Sequence, residues 1–84
     1  MAKVIVYTKD YCPFCDRAKA LLEQKGQEYQ EIKLDTSSDD FIELAQKTGM
    51  RTVPQIFIND EFIGGFTELA AVEAAGELDG KLAN

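Results

Sequence analysis

Histidine is absent from all 84 residues. That absence excludes Cys–His and Ser–His catalytic dyads, His-based zinc sites and histidine proton shuttles. Cysteine occurs only twice, as Cys12 and Cys15. Two cysteines three positions apart cannot form the framework of a small secreted protein, whose bridges tie distant segments together. A cytoplasmic setting with a working cysteine pair is the expectation. Positive charge is also scarce, with nine Lys and Arg against fifteen Asp and Glu and a formal charge of −6. Phosphate backbones are bound by clustered Lys and Arg, so nucleic acid is not an expected partner. No run approaches the ~18–20 apolar residues of a membrane span, and no membrane partner is expected. The first apolar stretch, Val4 to Tyr7, is too short for a signal-peptide core and lacks a small-residue cleavage site. It reads as structure rather than as a targeting segment.

What remains is 45% apolar and 29% charged, a globular balance. A chain of this length buries a bit over ~60% of its unfolded surface, enough for one modest core. One domain spanning residues 1–84 is expected, with a monomer as the default state. Val4-Ile5-Val6-Tyr7-Thr8 is a β-branched run suited to a buried strand. Pro13 breaks it and suits the first position of a helix, where its missing N–H is not needed. Phe14, Ala18, Leu21 and Leu22 then recur at helical spacing until Gly26, so a helix is predicted from Pro13 to Lys25. A weaker strand follows from Tyr29 to Leu34. Thr36 to Asp40 is dense in N-cap residues and first-turn acids, and Phe41, Ile42, Leu44 and Ala45 then give a second helix that closes at Gly49. Gln55 to Ile58 and Glu61 to Ile63 read as a hairpin around the two-residue turn Asn59-Asp60. A last helix opens at Thr67 and ends at Gly76, and Leu78 and Leu82 add a final turn that docks on the core. The order β-α-β-α-β-β-α predicts an α/β fold with a four-stranded mixed sheet and helices on both faces.

Cys12-Pro13-Phe14-Cys15 stands at the first strand-to-helix junction. A C-x-x-C in that position reads as a redox dithiol. Free N–H groups and a partial positive charge at the helix start favour thiolate over thiol at Cys12. Such surroundings lower a thiol pKa from ~8.5 into the range ~3.5–7.5. Lys9 adds a positive charge three residues upstream. Cys15, one turn into the helix, can attack a disulfide formed on Cys12. A zinc half-site and two incidental core cysteines are the alternatives. With no other Cys or His, one chain cannot complete four zinc ligands, and no metal is expected. Thr52-Val53-Pro54 places a proline at a strand start, where a missing ladder donor is tolerated. Gly64-Gly65-Phe66-Thr67-Glu68 precedes a helix whose N-terminal N–H groups suit an anion such as a carboxylate.

These three motifs, in this order and spacing, resemble those of small bacterial dithiol glutaredoxins over nearly the whole chain. The matching stretches are Tyr7-Thr8-Lys9 leading into Cys12 to Cys15, then Thr52 to Ile58, then Ile63 to Leu69. The resemblance implies a thioredoxin-like fold, a cis peptide bond before Pro54, and glutathione as cosubstrate. It makes Cys12 the nucleophile and Cys15 the resolving thiol. It also pairs Lys9 with the glycine carboxylate of glutathione and the Val53 backbone with its cysteinyl unit. The N–H groups and hydroxyl around Thr67 would hold the γ-glutamyl carboxylate, with Phe14, Thr52, Pro54, Gly65, Phe66 and Glu68 completing the site. Arg51 is a further carboxylate candidate. The chain departs from the common family pattern in two places: Phe14 replaces Tyr, and Phe66-Thr67-Glu68 stands where many relatives carry Cys then Ser-Asp or Asp-Asp.

The resemblance implies glutathione-dependent thiol–disulfide exchange on glutathionylated or disulfide-containing client proteins. Glutathione reductase is then an indirect partner. One alternative is a related protein reduced directly by thioredoxin reductase, which the glutathione-site residues count against. Another is a module bridging an iron–sulfur cluster between two protomers, which suits Cys12 less well because Pro13 stiffens its loop.

Overall fold

The computed structural model describes residues 2–83. Its strands and helices follow the predicted order with one addition. They are β1 (Val4–Thr8), α1 (Pro13–Gln24), β2 (Gln30–Lys33), α2 (Asp39–Thr48), β3 (Gln55–Ile58), β4 (Glu61–Gly64), α3 (Phe66–Ala74) and α4 (Leu78–Leu82). The sheet order is β2-β1-β3-β4. β1 and β2 are parallel, as their helical crossover requires, and β3 pairs antiparallel with both β1 and β4. No helix among the described residues is long and apolar enough to cross a membrane.

The side chains of β1 alternate, and that alternation divides the molecule. Val4, Val6 and Thr8 are buried on one face. Val4 pairs in register with Ile58, and Val6 with Ile56. Against this face pack Ala18 and Leu22 of α1, Leu69 of α3, and Leu78 and Leu82 of α4. On the other face Tyr7 meets Phe57 edge-on at 5.9 Å, and Phe57 meets Phe62 at 5.1 Å. α2 lies on that second face, where Leu44 borders a shallow hollow with Tyr7, Ile32 and Leu34. Helices therefore cover both faces, as the element order implied.

Several boundaries move for local reasons. α1 stops at Gln24, because Lys25 caps it and Gly26 turns left-handed at φ 69°. α2 begins at Asp39, with Asp39 and Asp40 as the acids of its first turn, as the stretch before Phe41 implied. The Ser38 side chain accepts the Phe41 N–H at 3.2 Å, and such a cap is worth about 1 kcal/mol. It closes at Gly49, φ 77°, as expected. β2 is shorter than Tyr29 to Leu34, running from Gln30 to Lys33, and beside it the Tyr29 hydroxyl donates to Glu23 at 2.5 Å. Asn59 and Asp60 both take positive φ, the geometry of a two-residue hairpin turn. α3 starts one residue before Thr67, with Gly65 as its N-cap. The final turn is a short helix, α4, held by its two buried leucines and by the Ala2 N–H donating to the Leu82 carbonyl at 3.2 Å.

Candidate active site

The loop after β1 delivers Cys12 in a constrained way. Tyr11 adopts φ 57°, left-handed backbone that a bulky residue rarely takes, and its ring is fully exposed. The chain then turns sharply so that Cys12, not a Ser or Asp, becomes the N-cap of α1, with Pro13 at the first helical position. The Cys12 Sγ accepts the Cys15 N–H at 3.1 Å, so a sulfur of the dithiol is itself the helix-capping atom. Negative charge on that sulfur is favoured by the donor and by the positive end of the helix dipole. Cys12 and Cys15 are joined as a disulfide, with Cα atoms 5.2 Å apart. Cys15 is 1% exposed and Cys12 7%. Solvent reaches the pair through Cys12.

Opposite Cys12, the segment between α2 and β3 brings in Val53 and Pro54 across a cis peptide bond. The Val53 carbonyl oxygen lies 3.8 Å from the Cys12 Sγ. The third wall is the junction of β4 and α3. Here the Glu68 carboxylate folds back to accept the Gly65 N–H at 2.7 Å. Phe66 and Thr67, also in the first turn of α3, keep N–H groups that no acceptor among the described residues engages. The glycine pair makes this fold-back possible. A Cβ on Gly64, whose φ is 121°, would stand 2.8 Å from the Glu68 Cγ. One on Gly65 would crowd the Glu68 carboxylate, the Met50 methyl and the Pro54 carbonyl, each at 3.3 Å. The close approach expected at the two glycines is therefore made first by the protein's own side chain.

These walls enclose one cleft of about 480 Å³, within the usual range for small-molecule sites. Lys9, Cys12, Phe14, Thr52, Val53, Pro54, Gly65, Phe66, Thr67 and Glu68 all line it, and so does Arg51. Cys15 sits behind Cys12 and does not. Pro13, inside the C-x-x-C motif, lines it too, and three lining residues escaped the sequence reading: Tyr11, Thr36 and Met50. Only Tyr11, a bulky aromatic abutting the C-x-x-C, carried a visible signal. Phe14 and Phe66 face each other at 6.4 Å, and the Arg17 guanidinium lies 5.3 Å over the Phe14 ring.

Lys19, Lys25, Lys33 and Lys81 are all tied up in ion pairs. Lys3, Lys9, Arg17, Lys47 and Arg51 have no ion pair among the described residues, and of these Lys9 and Arg51 line the cleft. Between β1 and β2, the Thr8 hydroxyl donates to Glu31 at 2.8 Å. That bond, with help from Lys19, holds the Glu31 carboxyl below its usual range against a desolvation cost.

A family model for glutaredoxins matches residues 4–63. The chain belongs to the glutaredoxin family. A glutaredoxin of Pseudomonas aeruginosa is 48% identical over 82 residues, 98% of each chain. Glutaredoxin 3 of Escherichia coli is 48% identical over 79 residues, covering 94% of this chain and 95% of its own. Among solved structures, a buckwheat glutaredoxin in complex with glutathione superposes with a TM-score of 0.89 at 37% identity. It covers 98% of this chain and 77% of that one. The solution structure of a Brucella melitensis glutaredoxin gives 0.86 at 44% identity, over 98% and 89%. The fold is accordingly the thioredoxin-like one, and this glutaredoxin is a thiol–disulfide oxidoreductase with a redox-active Cys12–Cys15 pair.

Proposed function

We propose that this glutaredoxin uses glutathione to reduce protein–glutathione mixed disulfides and protein disulfides, with Cys12 as nucleophile. The supporting observation is that one cleft beside Cys12 gathers every expected binding position and leaves its two rim cations, Lys9 and Arg51, without acidic partners. Glutathione is an anion with two carboxylates and one ammonium. Lys9 and Arg51 suit the glycine carboxylate. The open N–H groups of Phe66 and Thr67, with the Thr67 hydroxyl, suit the γ-glutamyl carboxylate at the start of α3. The Glu68 carboxylate beside them suits the ammonium.

In deglutathionylation, the Cys12 thiolate attacks the glutathione sulfur of a mixed disulfide, and the client thiolate leaves. Glutathione is then bonded to Cys12. A second glutathione thiolate attacks that glutathione's sulfur, releasing glutathione disulfide and regenerating the Cys12 thiolate. Glutathione reductase recycles the product outside this protein. With a client disulfide, Cys12 first forms a mixed disulfide with one client sulfur. Cys15 then attacks the Cys12 Sγ, and its proton passes to the departing client thiolate. This yields the Cys12–Cys15 disulfide seen in the structure, which two glutathione molecules reduce. Cys15 is tethered one turn away, so its effective concentration greatly exceeds that of an external thiol.

The test is turnover of a glutathione mixed disulfide with glutathione, NADPH and glutathione reductase, run beside NADPH and thioredoxin reductase. Saturable activity in the first system is the expected result. Activity only with thioredoxin reductase overturns the proposal.

A further inference from the structure

Gln55 opens β3 as a polar residue in an otherwise apolar strand, and it is completely buried. Burying an amide is costly unless its donors and acceptor are matched. Here they are matched to the cleft wall. The Gln55 Nε2 donates to the Met50 carbonyl at 2.7 Å and to the Thr52 carbonyl at 3.0 Å. Its Oε1 accepts from the Thr48 hydroxyl at 2.9 Å. The opposite amide orientation would set Oε1 against two carbonyl oxygens, so the chemistry of the partners assigns this one. The Thr48 hydroxyl shares its proton with the Leu44 carbonyl at 3.1 Å and accepts the Met50 N–H at 3.2 Å. One amide thus joins the last turn of α2, the 50–54 segment and the sheet.

That segment carries much of the cleft. Its 50 and 52 carbonyls accept from the amide, while every residue from Met50 to Pro54 lines the cleft, with the Val53 carbonyl beside Cys12. We infer that Gln55 is a positioning residue for glutathione: its carboxamide, braced by Thr48, holds the Arg51–Val53 wall at the distance from Cys12 that binding requires. An apolar residue would fill the same strand position, yet it would leave two carbonyls unpaired and the wall free to shift. Fixing a binding segment in advance raises affinity by removing the cost of ordering it on association. The inference rests on the proposed use of glutathione.

The experiment compares Gln55→Leu, Thr48→Val and Thr48→Ser with the unaltered protein. The readouts are glutathione KM and kcat in the reductase-coupled assay, Cys12 alkylation against pH, and thermal melting. Gln55→Leu is expected to raise the glutathione KM about tenfold, equivalent to about 1.4 kcal/mol. Loss of uniform binding leaves kcat within about twofold. Its Cys12 alkylation profile stays in place, because the α1 cap is untouched. Thr48→Val removes one brace and should raise KM about threefold, while Thr48→Ser restores the hydroxyl and the original KM. A folded Gln55→Leu protein with lower melting temperature but unchanged KM overturns the positioning role. If that variant does not fold, an unchanged KM in Thr48→Val overturns it equally. If the unaltered protein shows no saturation by glutathione, the functional reading fails and takes this inference with it.

Discussion

Replacing Gly64 by alanine tests whether the glycine pair exists to admit the Glu68 carboxylate. At φ 121° a Cβ is strained in itself, a cost of about 2 kcal/mol. The new methyl would also lie 2.8 Å from the Glu68 Cγ and 2.9 Å from its Oε1. Glu68 is then driven off the Gly65 N–H, forfeiting a helix cap worth about 1 kcal/mol. The total is about 3 kcal/mol, which for a domain of this size lowers the melting temperature by about 12–24 °C. Urea unfolding of Gly64→Ala, Glu68→Ala and the double variant separates the two contributions. Because the cap can be lost only once, the double variant should be about 1 kcal/mol more stable than additivity predicts. Additive costs within about 0.3 kcal/mol would show that the methyl and the carboxylate do not compete. A single-variant cost below about 1 kcal/mol would refute the strain argument as well.

Cys15→Ser should keep deglutathionylation, which needs one nucleophile, but slow reduction of protein disulfides and accumulate a covalent client complex on non-reducing gels. Cys12→Ser should abolish both, and retention of either activity by that variant reverses the assigned roles. Lys9→Glu should raise the glutathione KM by like-charge repulsion and slow Cys12 alkylation at a given pH, since a nearby negative charge disfavours the thiolate; an unchanged KM removes Lys9 from the site. Desolvation, reinforced by the bond to Glu23, pushes the Tyr29 phenol up to about 12 from 10.0. A group bound to its proton more tightly in the folded state stabilises it below the unfolded pKa, and that stability is lost as pH rises through the folded one. The unfolding free energy should therefore fall between pH 10 and 12, and Tyr29→Phe should remove that part of the decline.

Much of the architecture was legible because it is written locally. The β-branched run of β1, Pro13 at a helix start, the left-handed Gly26 and Gly49, and Asn59-Asp60 each act within a few residues. The start of α2 was legible as well: in the stretch of N-cap residues and first-turn acids before Phe41, Ser38 supplies the cap and Asp39 and Asp40 the first turn. α4 was legible only as a turn. Five residues that include Gly80 have little helical tendency alone, and burial of Leu78 and Leu82 supplies the rest. In the cleft, positions next to the three motifs could be anticipated. Thr36 and Met50 could not, since only the closing of the sheet brings their loops to Cys12. Gln55 escaped for a related reason: alternation along a strand says which residues share a face, not what a buried amide will bind.

The sheet order leaves β2 and β4 as its margins, each four residues long. Unpaired margins are where foreign strands add and aggregates begin. β2 presents Glu31, paired with Lys19, and Lys33, paired with Asp10. On β4, Glu61 holds Lys81, and the strand ends in the Gly64–Gly65 bend. An incoming strand would have to strip these pairs of their partners and could gain only a few ladder bonds in return. While α1 and α4 stay docked, the two rims of this sheet make poor templates, so the protection against strand addition is lent by the helices and lasts as long as they do.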